Sequence, residues 1–141
     1  MNPGGNMEPY LQNLDRMLAA WNAPDESDVR TLAETALEHN VHFVDPNHNI
    51  MGRDAFIRMV HAVKKKIPGA VYSRTSRVDV QNNHCRYHWA IHLDQDLLMA
   101  GFDVTEVNDA GKIVKVTGFF GLLEDQISRS GQDAPSLPGT E

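Results

Sequence analysis

The sequence predicts an α+β fold on three observations. Apolar residues recur at helical spacing as far as Ile67. From Val71 the period changes to two. Turn signals then cut the second half into hairpins, at Asn82-Asn83, Asp94-Gln95-Asp96 and Asn108-Asp109-Ala110-Gly111. Helices followed by a run of antiparallel strands imply one sheet with helices on one face. A strongly twisted sheet covered in this way is a half-barrel, and its mouth is a common ligand site.

The first helix carries Leu11, Leu14, Met17, Leu18 and Trp21 on one stripe and breaks at Asn22-Ala23-Pro24. A second starts near Asp25 or Ser27, both good N-caps. It presents Val29, Leu32, Ala33 and Ala36, and ends at His39-Asn40. Residues 41–44 form a short apolar strand that runs on through Asp45, because Pro46 forces the preceding residue into an extended conformation. Asn47-His48-Asn49 reads as a turn. Gly52-Arg53-Asp54 opens a third helix with Phe56, Val60, Val63 and Ile67 on one side. Lys64, Lys65 and Lys66 fall in its last turn, where cations complement the helix dipole, and read as a solvated helix end. Pro68-Gly69 stops it. Strands follow over residues 71–80, 84–93, 97–107 and 112–122. Residues 1–8 read as a flexible N-terminus, 9–125 as the domain, and 126–141 as a disordered tail rich in Ser, Gly, Gln, Asp and Pro.

A chain of 141 residues suits one domain that needs no staples. The net charge of -6 argues against binding a phosphate backbone, so no nucleic-acid partner is expected. No stretch approaches the roughly 20 apolar residues of a membrane span. Cys85 is the single cysteine, which leaves no intrachain disulfide. The opening Met1-Asn2-Pro3-Gly4-Gly5-Asn6 has neither the basic region nor the apolar core of a signal peptide. A cytoplasmic location is the expectation. There is no phosphate loop, dinucleotide fingerprint or serine elbow, and no cofactor is expected.

Two aspartates sit on otherwise apolar stretches. Asp45 ends Val41-His42-Phe43-Val44, and Asp103 lies inside the run from Leu97 to Val104. Carboxylates are almost never fully buried without a partner. In an apolar site they find one or raise their pKa. Two in one pocket are the raw material of acid–base chemistry. Residues 84–93 alternate cleanly, with Cys85, Tyr87, Trp89, Ile91 and Leu93 on one face and His84, Arg86, His88 and His92 on the other. The next strand puts Met99, Gly101, Asp103 and Thr105 together, and a three-residue hairpin sets Tyr87 opposite Asp103. The last strand adds Val116, Gly118 and Phe120.

The candidate site therefore has Asp45 and Asp103 as catalytic residues. Trp21, Tyr87, Trp89, Met99, Val116, Phe120 and His48 are the expected ligand contacts, His48 also as an orienting partner or shuttle for Asp45. Plainer readings stand beside these. Asp45 could cap the amides of Asn47 or His48 as a turn carboxylate. Asp103 could be satisfied by backbone amides, by Tyr87 or by a histidine. His84, His88 and His92 are spaced by four, about 13 Å along a strand, which is too far for one metal ion, so no metal site is expected. Cys85 reads as a packing residue.

Four local signatures carry a family resemblance. They are Phe43-Val44-Asp45-Pro46, Gly52-Arg53-Asp54-Ala55-Phe56, Gly101-Phe102-Asp103-Val104, and Asp109-Ala110-Gly111-Lys112-Ile113 followed by Gly118-Phe119-Phe120. In this order, over about residues 10 to 123, the chain resembles the nuclear-transport-factor-2-like superfamily, which includes ketosteroid isomerases and SnoaL-like polyketide cyclases. The resemblance implies a cone-shaped barrel: a strongly curved, mostly antiparallel sheet with three N-terminal helices packed on its concave side. It also implies a deep apolar pocket for a small apolar molecule, and a homodimer formed through the outer face of the sheet. Residue placement is most similar to the ketosteroid isomerase type, where the base corresponds to Asp45 and the acidic hydrogen-bond donor to Asp103. That type also uses tyrosines from its helices. The matching positions here are the tyrosine-free stretch Met17-Leu18-Ala19-Ala20-Trp21 and the neighbourhoods of Leu37 and Val60. This departure weighs against steroid isomerisation. The acid pair suits a cofactor-free isomerase or cyclase, and the missing tyrosines suit a non-catalytic binding or scaffold module.

Overall fold

The computed structural model describes residues 7–121. The tail expected over 126–141 lies outside the described residues, as do residues 1–6 of the expected flexible N-terminus. Three helices and seven strands follow the order α1 (Met7–Asn22), α2 (Glu26–Ala36), β1 (Leu37–Asp45), β2 (His48–Met51), α3 (Arg53–Lys66), β3 (Val71–Arg74), β4 (Asp79–Gln81), β5 (His84–Leu93), β6 (Asp96–Val107) and β7 (Ile113–Phe120).

All seven strands join one sheet in the order β2-β1-β7-β6-β5-β3, with β4 also paired to β5. Only β1 and β7 run parallel. The sheet is mixed and mostly antiparallel, and it does not close into a barrel. No described helix is long and apolar enough to cross a membrane.

The helices form where the apolar stripes predict. Leu14, Met17 and Ala20 of α1 are buried, as are Val29, Ala33 and Ala36 of α2. Asp25 caps α2, accepting from the Asp28 amide at 3.0 Å. Helix α3 buries Phe56, Ile57, Met59 and Val60. Phe56 packs edge-on to Trp21 and Phe43, with centroids 6.0 and 5.7 Å apart. Asn22 clamps α1 to β3. Its amide donates to the Tyr72 carbonyl at 2.7 Å, and its carbonyl accepts from the Tyr72 amide at 2.8 Å.

Five boundaries differ from expectation. Helix α2 stops at Ala36, before His39-Asn40, because fully buried Leu37 pairs with Ile113 and starts β1 early. The turn expected at Asn47-His48-Asn49 is shorter and sits at Pro46-Asn47. His48 already pairs with Asp45 and opens β2. The strand expected over 71–80 is broken into β3 and β4. The β5–β6 loop has two residues, Asp94 and Gln95, with φ of 52° and 73°. A left-handed pair of this kind closes a tight hairpin. The last strand ends at Phe120, and Leu122 lies outside the described residues.

Candidate active site

Four neighbouring strands bring Tyr87, Asp103, Gly118 and Asp45 into one row. Tyr87 pairs with Asp103 and Asp103 with Gly118. Val44, just before Asp45, pairs with Thr117, just before Gly118. Paired residues project to the same face about 5 Å apart. Gly118 leaves a gap in that row. A Cβ there would stand 3.0 Å from Asp103 Oδ1 and 3.5 Å from Asp45 Cβ. The two acids meet over the one position that has no side chain.

Each acid is held differently. Asp103 Oδ2 accepts from the Tyr87 hydroxyl at 2.9 Å, and Oδ1 accepts from Trp89 Nε1 at 2.9 Å. Burial raises its pKa to about 6, against the two hydrogen bonds, which lower it; the Asp45 charge adds a smaller push upward. Tyr87 is held well above the usual tyrosine range, by burial first and then by the Asp103 charge, so it stays a neutral donor. Asp45 Oδ1 accepts from the Asn47 amide at 2.8 Å and lies 2.9 Å from His48 Nδ1. The Asp45 side chain is 11% exposed, and that of His48 29%. Asp45 Oδ2 has no hydrogen bond among the described residues.

Above this row lies a cavity of about 560 Å³. Its walls come from Met17, Leu18 and Trp21 of α1, Phe43 of β1, Ala62, Val63 and Lys66 of α3 with Ile67 just after it, and Tyr72 of β3. Trp89, Ile91, Met99 and Phe120 complete them, and Trp89 and Phe120 meet edge to face at 5.8 Å. One row below the acids, Cys85, Thr105 and Val116 are at most 1% exposed and close the floor. Two rows above them, Met99 is 37% exposed and lies at the mouth.

Of the residues expected at the site, Asp45, Asp103, Trp21, Tyr87, Trp89, Met99, Phe120 and His48 all line this cavity. Val116 does not. It has the right strand parity but belongs to the packed floor, with no exposure. Tyr72 was not expected. It stacks on Trp21 at 5.1 Å, and its buried hydroxyl meets no partner among the described residues. Its signal was an aromatic at the start of an alternating strand. The lysine run also splits. Lys65 is exposed, Lys64 binds the Ala23 carbonyl, and Lys66 lines the cavity. On the outer face, Arg86 pairs with Asp79 at 2.8 Å, away from the site as its parity predicts.

No protein-family model matches the sequence, and no curated protein matches it. Solved structures do. A candidate isomerase of the SnoaL-like family from Agrobacterium tumefaciens is 31% identical, with 82% of this chain and 100% of that one covered and a TM-score of 0.76. The chain belongs to the SnoaL-like family. Two more distant structures share the fold of this SnoaL-like protein. A nuclear-transport-factor-2-like protein of unknown function from Exiguobacterium is 21% identical over 79% of this chain and 99% of that one, with a TM-score of 0.65. A candidate ketosteroid isomerase from Kribbella flavida is 17% identical over 92% and 84%, with a TM-score of 0.63.

Proposed function

We propose that this SnoaL-like protein binds a small apolar carbonyl compound and moves a proton next to the carbonyl without a cofactor, as an isomerase or cyclase does. The observation that carries the reading is the pair of carboxyl groups meeting over Gly118 on the floor of an apolar cavity. Asp45 is the base. Its Oδ1 is fixed by the Asn47 amide and His48, which leaves Oδ2 to take a proton from carbon. Asp103 in its protonated form donates to the carbonyl oxygen, where negative charge develops as the enolate forms. Returning the proton from Asp45 to a different carbon completes an isomerisation. Attack of the enolate carbon on a second carbonyl, whose oxygen then takes the proton held by Asp45, completes a cyclisation. Tyr87 and Trp89 keep the acid aimed, in place of tyrosines from the helices.

The test is hydrogen–deuterium exchange at the α-carbon of a panel of apolar ketones in heavy water, read by proton NMR. The native protein should accelerate exchange, and Asp45→Asn should abolish the acceleration. Exchange at the background rate for every ketone would sink the enzymatic reading. A second reading, a non-catalytic binding or scaffold module, draws on the same Asp45 contacts, since a carboxylate bonded to its own turn is also ordinary turn chemistry.

A cytoplasmic homodimer completes the proposal. Phe119, 47% exposed, stacks on Phe102 at 4.9 Å on the outer face of the sheet. Light scattering on a size-exclusion column measures the dimer, and Phe119→Glu should return it to a monomer.

A further inference from the structure

The cavity is not charged alike at its two ends. Asp45 and Asp103 occupy the floor. Four lining residues are exposed: Ala62, Met99 and Lys66 edge the mouth, and Asn47 covers Asp45 from the side with its amide on that carboxylate. Apart from His48, Lys66 is the one lining side chain among the described residues that carries a cationic group. It has no hydrogen bond or ion pair to a described residue, whereas Lys64, two positions earlier on α3, is committed to the Ala23 carbonyl. From Met99 at the mouth to Asp103 is four residues along β6, about 13 Å. Trp89 and Phe120 fill the walls between.

An anion entering this cavity would be repelled by the floor and attracted by the mouth. The net charge of -6 gives the rest of the molecule no general affinity for anions, so any attraction must be local. We infer that Lys66 binds a carboxylate at the remote end of the ligand, so that the site takes an apolar carbonyl compound bearing an acid group at the end away from the carbonyl. The inference rests on the ligand class proposed above and adds its orientation. The carbonyl end goes down to Asp103, and the carboxylate stays at the rim. Lys66 is a specificity-determining residue here and takes no part in the proton transfer.

The test compares 6-acetyl-2-naphthoate with its methyl ester, which has the same rings and ketone but no charge. Binding is read by quenching of Trp21 and Trp89, the two tryptophans of the chain, both in the cavity wall. The native protein should prefer the carboxylate. Lys66→Met should weaken it by about fivefold, the upper range for an exposed ion pair, and leave the ester unchanged. Lys66→Glu should weaken the carboxylate further. Ester binding with no preference for the carboxylate in the native protein would overturn this inference alone. So would a Lys66→Met variant that keeps the preference or loses both ligands equally. Binding of neither compound to the native protein would overturn the ligand class as well.

Discussion

The indole of Trp89 occupies the space that a side chain on Gly101 would need. A Cβ there would stand 2.5 Å from Trp89 Cζ2 and 2.1 Å from the Phe119 carbonyl oxygen. Across that bare position the indole reaches Asp103. Gly101→Ala must therefore displace backbone as well as side chain. It should cost about 2–3 kcal/mol of stability, measured by chemical denaturation. A loss within experimental error would mean that the close approach does not constrain the strand pair.

Gly118 poses a milder version of the same constraint. A methyl group there would sit 3.0 Å from Asp103 Oδ1, so the carboxyl group can give way while the backbone stays. Gly118→Ala should keep the fold and push the two acids out of line. A misplacement of about 1 Å costs roughly a hundredfold in rate, and the carboxyl group here need give by only a fraction of that, so exchange of an α-proton should fall by up to about tenfold with the unfolding midpoint little changed.

Asp103 also links stability to pH. Its pKa is about 6 in the folded protein against an ordinary 3.8, so the folded state holds the proton more tightly between those values. Stability is then highest below 3.8, falls as pH rises through that window, and levels off above about 6. At roughly 1.4 kcal/mol per unit, the cost at neutral pH reaches at most about 3 kcal/mol. Asp103→Asn removes it, because an amide can accept from Trp89 and donate to the Tyr87 oxygen. Urea denaturation should show the variant more stable than the native protein at pH 7.5 and no more stable at pH 3.5. An equal effect at both values would refute the linkage.

The proposed reaction would take its pH dependence from the same group. If protonated Asp103 donates to the carbonyl, kcat/KM should rise as pH falls through about 6. Asp103→Asn, a permanent neutral donor, should lose that inflection while retaining part of the rate. A profile whose inflection near 6 survives the substitution would assign it to another group.

Tyr72 carries a buried hydroxyl with no partner among the described residues. Its ring is fixed by Trp21 and its backbone by Asn22, so the hydroxyl cannot turn away. Tyr72→Phe removes an unsatisfied donor and should raise the melting temperature, by the equivalent of about 1 kcal/mol. A lower melting temperature would mean that the hydroxyl is hydrogen-bonded in the folded protein.

What could be read in the sequence depended on how local its cause was. β5 was legible as a strand, because Cys85, Tyr87, Trp89 and Ile91 alternate with His84, Arg86, His88 and His92, broken only by the buried Ala90. The start of β1 was not. Leu37-Glu38-His39-Asn40 continues a helical pattern, and only its pairing with β7, distant in sequence, makes it a strand. The opposition of Tyr87 and Asp103 was foreseen for an incomplete reason. The expected three-residue hairpin is a two-residue one, and Leu98 falls at a register shift that restores the same pairing. Val116 matched the cavity by parity, yet whether a position opens to a cavity or to packed core depends on the helices above it. For the same reason Lys66 looked like any other lysine at a helix end.

Leu98 is an extra residue in β6, opposite none on β5. Every site residue of β6 lies beyond it, so their facing depends on counting from this point. Deleting Leu98 removes the extra residue and leaves Met99, Gly101 and Asp103 opposite their present partners. Deleting a residue between Met99 and Asp103 would instead exchange the two sides of the strand for part of its length, bringing the ring of Phe102 or the methyls of Val104 inward and the carboxyl group out to water. The hairpin tip can therefore absorb a length change in descent from a common ancestor that the stretch below it cannot.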